Sequence, residues 1–235
     1  MEKTREDEAL VPHALTAEEV ALKLNADLER GLTEEEASRR LEKYGPNVIR
    51  AKEVRFKALR IFLAEFANPF IIMLLIAAVV SYALSEMVDA LTIFAIVILC
   101  AVLGFTQEYK AEKAVEALRK LTAPRAKVLR NGSVKEIPAE KVVVGDVLVL
   151  EEGDKVAADA RLFECYSLET NEASLTGESR PAKKLLDPVD PSAPIPERRN
   201  MVFMGTYVVR GKGKAVVTAT GMDTEFGKIA HLVQE

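Results

Sequence analysis

Between Phe66 and Thr106 the chain reads FANPFIIMLLIAAVVSYALSEMVDALTIFAIVILCAVLGFT, and its only charged side chains there are Glu86 and Asp89. Crossing ~30 Å of hydrocarbon takes roughly 20 apolar residues at ~1.5 Å of helical rise each. Phe66–Leu84 and Ala90–Thr106 each approach that length, and Ser85–Asp89 between them predicts a tight turn. The expected element is an antiparallel pair of membrane helices. A buried hairpin of a soluble domain would share the pattern, but the flanks argue against it. Arg50, Lys52, Arg55, Lys57 and Arg60 precede the first run, Lys110, Lys113, Arg119 and Lys120 follow the second, and the turn carries no Lys or Arg. By the positive-inside rule this asymmetry predicts both ends on the cytoplasmic side. The apolar run starts too late, and lacks the small-residue cleavage site, for a signal peptide.

The flanks have helical character of their own. Val54–Glu65 (VRFKALRIFLAE) is basic and amphipathic, which predicts a helix lying in the membrane interface until Asn68-Pro69 turns the chain inward. Gln107–Leu121 keeps helical period, with Val115, Leu118 and Leu121 on one side and Glu116 four residues before Lys120. The second membrane helix is therefore expected to continue as a stalk, over residues 107–123, able to transmit rotation of whatever follows.

Either side of this insertion the sequence reads as soluble. Met1–Pro12 is charged and aperiodic, so disorder is expected over 1–12. In the next segment, 13–53, Thr16–Leu24 and Thr33–Tyr44 open with Thr caps, and Gly31 and Gly45 punctuate their ends, predicting two short helices. Beyond Pro124 the pattern changes to short β-branched runs. Arg125–Arg130, Asn131-Gly132 and Ser133–Ile137 predict a type I′ hairpin. Further strands are expected at Val142–Val144, Val147–Glu151, Ala160–Tyr166, Val202–Val209 and Ala215–Thr220, with Arg210–Lys214 as the turn joining the last two. Thr224 caps a final predicted helix, Glu225–Gln234. The stretch 182–200 carries four prolines (Pro188, Pro191, Pro194, Pro196) and predicts an exposed, extended loop within the 124–235 domain.

Composition narrows the chemistry. With 49% hydrophobic residues and a net charge of -4 the chain is neither disordered nor basic enough for nucleic acid. Cys100 and Cys165 alone cannot build a disulfide framework or a Cys-rich metal site, and they fit a reducing compartment. His13 and His231 lack companions at ligand spacing and read as surface histidines. No Gly-rich phosphate loop and no Ser/His/Asp set can be assembled, so no cofactor or metal site is expected in this chain. What remains is Thr170–Arg180, TNEASLTGESR, where Thr176-Gly177-Glu178-Ser179 sets a carboxylate beside a glycine. Glu178 would project as an acid/base group, and Gly177 would allow close backbone approach to another surface. By composition alone the segment is an ordinary solvated turn.

Those residues resemble a family, the P-type cation-transporting ATPases of the calcium-pump-like branch. Leu32–Asn47 resembles the family's N-terminal segment. Asn68-Pro69-Phe70 with Met73–Ser81 resembles its first membrane helix, and Gly104–Leu118 its second helix and stalk. Val143–Asp159 (VVGDVLVLEEGDKVAAD), Leu175–Ser179 (LTGES), Asn200–Thr206 (NMVFMGT) and Thr220–Ile229 resemble its actuator domain. The resemblance spans about Leu15 to Val233. It implies a membrane α-helical hairpin plus a mostly-β cytoplasmic actuator domain, distorted jelly-roll-like, with short N-terminal helices. It also implies a pump driven by an aspartyl phosphate formed from ATP with Mg2+. In such a pump the actuator brings its Thr-Gly-Glu-Ser loop to the phosphorylated site, and Glu178 matches the residue that positions and activates the attacking water. Gly177 would let the loop come close, and Thr176 and Ser179 would hold its shape.

Departures are few. Val144 and Ala157 stand where the family usually has proline, and Asn171 and Ala173 replace an Asp and a Ser often found before LTGES. The larger departure is an absence. The Asp-Lys-Thr-Gly-Thr phosphorylation motif, the nucleotide-binding domain and the later, ion-coordinating membrane helices are missing, and the chain stops about where a third membrane helix is expected. On this resemblance the chain alone neither hydrolyses ATP nor moves an ion. Its partners would be a lipid membrane and the missing C-terminal segments, with calcium the favoured ion. The alternative is a free-standing, membrane-anchored actuator-like protein with a regulatory or binding role.

Overall fold

The computed structural model describes residues 10–49, 57–121 and 124–234, which divide into two units. One joins the N-terminal segment to 124–234. The other holds the apolar helices. The disorder expected over residues 1–9 lies outside the described residues, whereas Pro12 already opens a 3-10 turn, Pro12–Ala14.

In the helical unit, α3 (Lys57–Glu65) breaks at 66–68 and α4 (Pro69–Ala83) starts from an Asn68 cap whose side chain accepts from Phe70 N. Pro69 sits at the first helical position, where its missing N–H leaves nothing unsatisfied. The two helices meet at 59°. Alone, α4 rises only ~22 Å, short of the hydrocarbon thickness, and only taken together are the two bent helices long and apolar enough to cross it. Leu84–Glu86 then reverse the chain, with Ser85 at φ 65°, into α5 (Met87–Leu121). This helix runs unbroken through the stretch read as span and stalk. Among the described residues α5 is the one helix that by itself is long and apolar enough to cross a membrane, over Met87–Val115. α3 docks on α5 through Phe62 and Phe105, whose ring centres lie 5.9 Å apart, with Phe66 against Phe62 at 5.5 Å and Tyr109 against Phe105 at 5.7 Å. Gly104 leaves room there for the Glu65 carboxylate, which a Cβ would strike at 2.5 Å.

The other unit opens with α1 (Ala17–Lys23) and α2 (Glu34–Tyr44), capped by Thr16 and Thr33 as their sequences predict; at Thr16 the Glu19 side chain completes a reciprocal capping box. The strands are β1 (Arg125–Arg130), β2 (Ser133–Pro138), β3 (Val147–Glu151), β4 (Asp159–Asn171), β5 (Ala182–Lys183), β6 (Met201–Val202) and β7 (Tyr207–Ala219). They form one antiparallel sheet in the order β2-β1-β3-β7-β4-β5, with β6 also on β4. Asn131 and Gly132 take φ of 50° and 73°, the left-handed pair a type I′ hairpin requires. α6 (Ala173–Thr176) leaves the end of β4, and α7 (Glu225–Gln234) closes the unit. The core gathers Val128, Leu148, Leu150, Leu162, Leu168, Val202, Val208 and Val217.

Several sequence expectations are corrected. Arg210–Lys214 is no turn: β7 runs straight through it, paired with β4 and β3. Gly211 has φ 79°, and a Cβ there would lie 2.3 Å from the Ser167 carbonyl oxygen, with Ser167 itself at φ 50°. The glycines therefore serve a bulge and a close strand approach, which bend the ladder without ending it. Val142–Val144 is no strand either. Val142 and Val143 are buried, but the segment follows a 3-10 turn, and the Asp146 carboxylate takes the Val143 N–H that a ladder would have used. The run Val202–Val209 splits at Gly205 (φ 83°) into β6 and the start of β7, and β4 extends well past Tyr166.

His13 is buried rather than on the surface. Its Nε2 lies 3.1 Å from the Pro191 carbonyl oxygen, and burial lowers its pKa. The proline-rich stretch 182–200 is exposed over much of its length yet pinned at buried Lys184, Ala193 and Asn200. Arg161 holds the N-terminal segment from beneath, donating to the carbonyls of Pro12, Leu15 and Leu186, while Asn200 donates to His13 and Asp187. Buried Asn47 does the same from the other side of that segment, donating to Ala139 and Ala157 and accepting from Gly221 N.

Candidate functional site

β4 delivers the chain to the Thr-Gly-Glu-Ser loop. At its end the Asn171 side-chain oxygen accepts the Ala173 N–H at 3.0 Å, an Asx turn that needs only an oxygen and so works with Asn in place of Asp. Ala173 contributes backbone alone, so its lack of a hydroxyl changes nothing in this turn. α6 is a single turn in which Leu175 N and Thr176 N both donate to Glu172 O at 2.9 Å. Gly177 ends it in the left-handed conformation, φ 77° and ψ −4°, with its N–H on Ala173 O.

A Cβ on Gly177 would meet nothing within 4 Å, so glycine is required here by φ and not by crowding. The chain then turns outward, and Gly177, Glu178, Ser179 and Arg180 are all exposed. Thr176 shapes this exit. Its hydroxyl donates to Glu172 O at 3.1 Å and accepts the Glu178 N–H at 3.2 Å. The Glu178 carboxylate and Ser179 have no hydrogen-bond partner among the described residues. The structure thus brings Thr176, Gly177 and Glu178 into one hydrogen-bonded turn and leaves Ser179 outside it.

The returning strand is short. β5 pairs Ala182 with Thr170 and Lys183 with Glu169, and Lys184 N donates to Leu168 O at 2.9 Å. Beneath the loop lies a pair that sequence reading missed. The Lys184 ammonium contacts the Glu172 carboxylate, and both side chains are almost wholly buried. Thr170 Oγ1 donates to the same carboxylate at 2.9 Å, and the ammonium lies 5.5 Å from the centre of the Phe203 ring. Burial lowers the Lys184 pKa, and Glu172 opposes that shift. Nothing local in the sequence marks it: Lys183-Lys184 is a pair of like residues, and only the fold exposes the first and buries the second.

A second buried carboxylate supports the far end of the unit. Asp159 accepts Met204 N and Glu225 N, each at 2.8 Å, so it joins the Gly205 turn to the first turn of α7. Burial raises its pKa to about 6. Thr224 Oγ1 caps the same helix at Gly227 N, 3.0 Å away, as its sequence predicts. Among the described residues no group of three or more His, Cys, Asp or Glu is placed to hold a metal ion.

Comparison with known proteins places this geometry. Residues 120–234 match the P-type ATPase actuator domain, and residues 12–81 match the cation transporter/ATPase N-terminus. A probable cation-transporting ATPase F of Mycobacterium tuberculosis is 43% identical over 221 residues, covering 94% of this chain and 24% of that protein. A calcium-transporting ATPase of Listeria monocytogenes is 44% identical over 206 residues (88% and 23%), and one of Bacillus subtilis 42% over 211 residues (89% and 24%). The chain spans about a quarter of the length of these relatives. Two matched segments in order, an apolar hairpin that opens within the first of them and an exposed Thr-Gly-Glu-Ser turn on an antiparallel sheet all agree: the chain belongs to the P-type cation-transporting ATPases, of which it carries the N-terminal segment and the actuator domain.

Proposed function

We propose that this chain is the N-terminal part of an ATP-driven cation pump, with calcium the favoured ion, and that its actuator domain promotes hydrolysis of the pump's aspartyl phosphate. The observation that carries the reading is the presentation of Glu178. A left-handed glycine and the Thr176 hydroxyl hold its backbone, while its carboxylate stands free in solvent, able to meet a second surface. A carboxylate within hydrogen-bond reach of a water can orient it and take its proton as the oxygen attacks phosphorus. Calcium is favoured because the Listeria and Bacillus relatives are named calcium-transporting ATPases.

Among the described residues no cluster of His, Cys, Asp or Glu is placed to hold a metal ion, and in this reading ATP and Mg2+ bind the remainder of the pump, so no step assigned here runs through them. In this reading the helical unit spans the membrane as a hairpin, with the basic flanks and the actuator on the cytoplasmic side. The lower part of α5 acts as the stalk that carries actuator movement to the membrane helices.

The test is Glu178→Gln in membranes that co-express this chain with a pump remainder bearing the phosphorylated aspartate. The amide keeps the size of the side chain and removes its basicity. The expected result is a normal level of phosphoenzyme whose decay slows by about 100-fold or more, the range of a lost general base. Decay at the parent rate would sink the assignment.

A further inference from the structure

We propose that Glu172 and Lys184 are positioning residues for Glu178: their buried ion pair sets where the loop holds the catalytic carboxylate. The proposal rests on the reading above and extends it to residues that never touch the phosphoryl group.

The geometry forms a continuous path. Glu178 N donates to Thr176 Oγ1, and Thr176 Oγ1 donates to Glu172 O. The Glu172 side chain then reaches Thr170 Oγ1 and the Lys184 ammonium beneath the loop. Glu172 is the last residue before α6, and Lys184 the first after β5. The pair therefore ties the outgoing and returning ends of the excursion that carries Glu178. Without it, that closure rests on a two-residue strand at the sheet edge.

Stability does not account for such a pair. Burying two charges is opposed by their lost hydration, and an apolar pair of the same volume often serves as well or better. The ion pair offers direction instead. The carboxylate is held by a hydroxyl and by an ammonium that also faces the Phe203 ring, so its position is specified in a way that methyl groups cannot match. Because Glu172 O also anchors both N–H groups of the α6 turn and the Thr176 hydroxyl, a shift of Glu172 moves the whole turn.

The experiment uses the chain assembled in membranes with the pump remainder, and reads thermal unfolding, phosphoenzyme formation and phosphoenzyme decay. The double variant Glu172→Met/Lys184→Met is expected to unfold within a few degrees of the parent and to form phosphoenzyme normally, while decay slows about 10-fold or more, as expected for misplacement of a catalytic group. That split separates positioning from mere support. If this folded double variant decays at the parent rate while Glu178→Gln slows decay, the positioning role is overturned and the catalytic reading stands. If Glu178→Gln itself has no effect, the catalytic reading fails and takes the positioning role with it. Should the double variant not fold, Thr176→Val cuts the path at a half-buried site: slowed decay with normal formation is expected, and an unchanged rate overturns the proposal. Adding Thr176→Val to a folded double variant is expected to slow decay no further, and a full multiplicative loss would show that the pair does not act through this path.

Discussion

Two buried ion pairs lie in two regions of the same sheet, and they are built differently. At the end of β1, Arg130 grips Asp146 with two nitrogens, Nε to Oδ1 at 2.9 Å and Nη2 to Oδ2 at 2.7 Å. Two more of its donors go to Lys141 O and Glu34, and Asp146 also takes Val143 N. Four of the five guanidinium N–H groups are thus engaged, and the pair joins α2, β1 and the loop before β3. Under the Thr-Gly-Glu-Ser loop, by contrast, Lys184 meets Glu172 through a single ammonium, and the structure above it is one helical turn and an exposed tip. The difference teaches that burial of charge does not declare its purpose. A two-pronged pair inside regular structure fastens the fold, whereas a single-pronged pair at the root of a loop ties together the two ends from which that loop projects.

The largest effect that sharpens this contrast is Asp146→Ala. It strands the Arg130 guanidinium in the interior and removes the acceptor of Val143 N, so a loss of about 3–5 kcal/mol is expected in denaturant unfolding. A loss under about 1 kcal/mol would mean that the two regions do not differ as described.

Next in size is the pH dependence of Asp159. Its pKa is about 6 in the folded chain against an ordinary value of 3.8, so between those values the folded state holds more proton than the unfolded. Stability should therefore fall as pH rises from about 4 to about 6 and then level off, by on the order of 2–3 kcal/mol. Asp159→Asn should flatten that slope in unfolding curves recorded across the range, and a slope that persists would assign the effect to another group. The smallest effect belongs to the loop tip. Gly177→Ala has open space for its methyl but the wrong φ, so it should cost about 1 kcal/mol in the same unfolding measurement. A much larger loss would mean that the loop is as tightly built as the Asp146 region.

Much of this was legible in the chain itself. Thr16, Thr33 and Thr224 announce their helices because a cap acts within three residues, and Asn131-Gly132 announces its hairpin because both positions must take positive φ. The Thr-Gly-Glu-Ser motif was legible as a resemblance, and its turn conformation follows from Gly177. The misreadings share one cause. Gly211 and Gly213 looked like a turn because glycine permits a turn; that they instead face Ser167 and Glu164 across a bulged ladder depends on another strand. His13 looked exposed because nothing near it in sequence covers it, yet Val189 N and Asn200 donate to its carbonyl from the far side of the unit.

By itself, then, the sequence determined what acts over short reach: the periodicity and charge flanks of the apolar helices, the caps, the hairpin turn and the identity of Glu178 as the exposed carboxylate. Tertiary structure decided which residues lie beneath that carboxylate and what holds the N-terminal segment to the sheet. Glu172 and Lys184 are 12 positions apart, Asn47 and Gly221 are 174 apart, and His13 and Asn200 are 187 apart. Propensity and capping bias φ, ψ and neighbours within about one helical turn, but burial is set by whatever else the chain folds against. A lysine, an asparagine or a histidine carries no local mark of that partner until the sheet has closed around it.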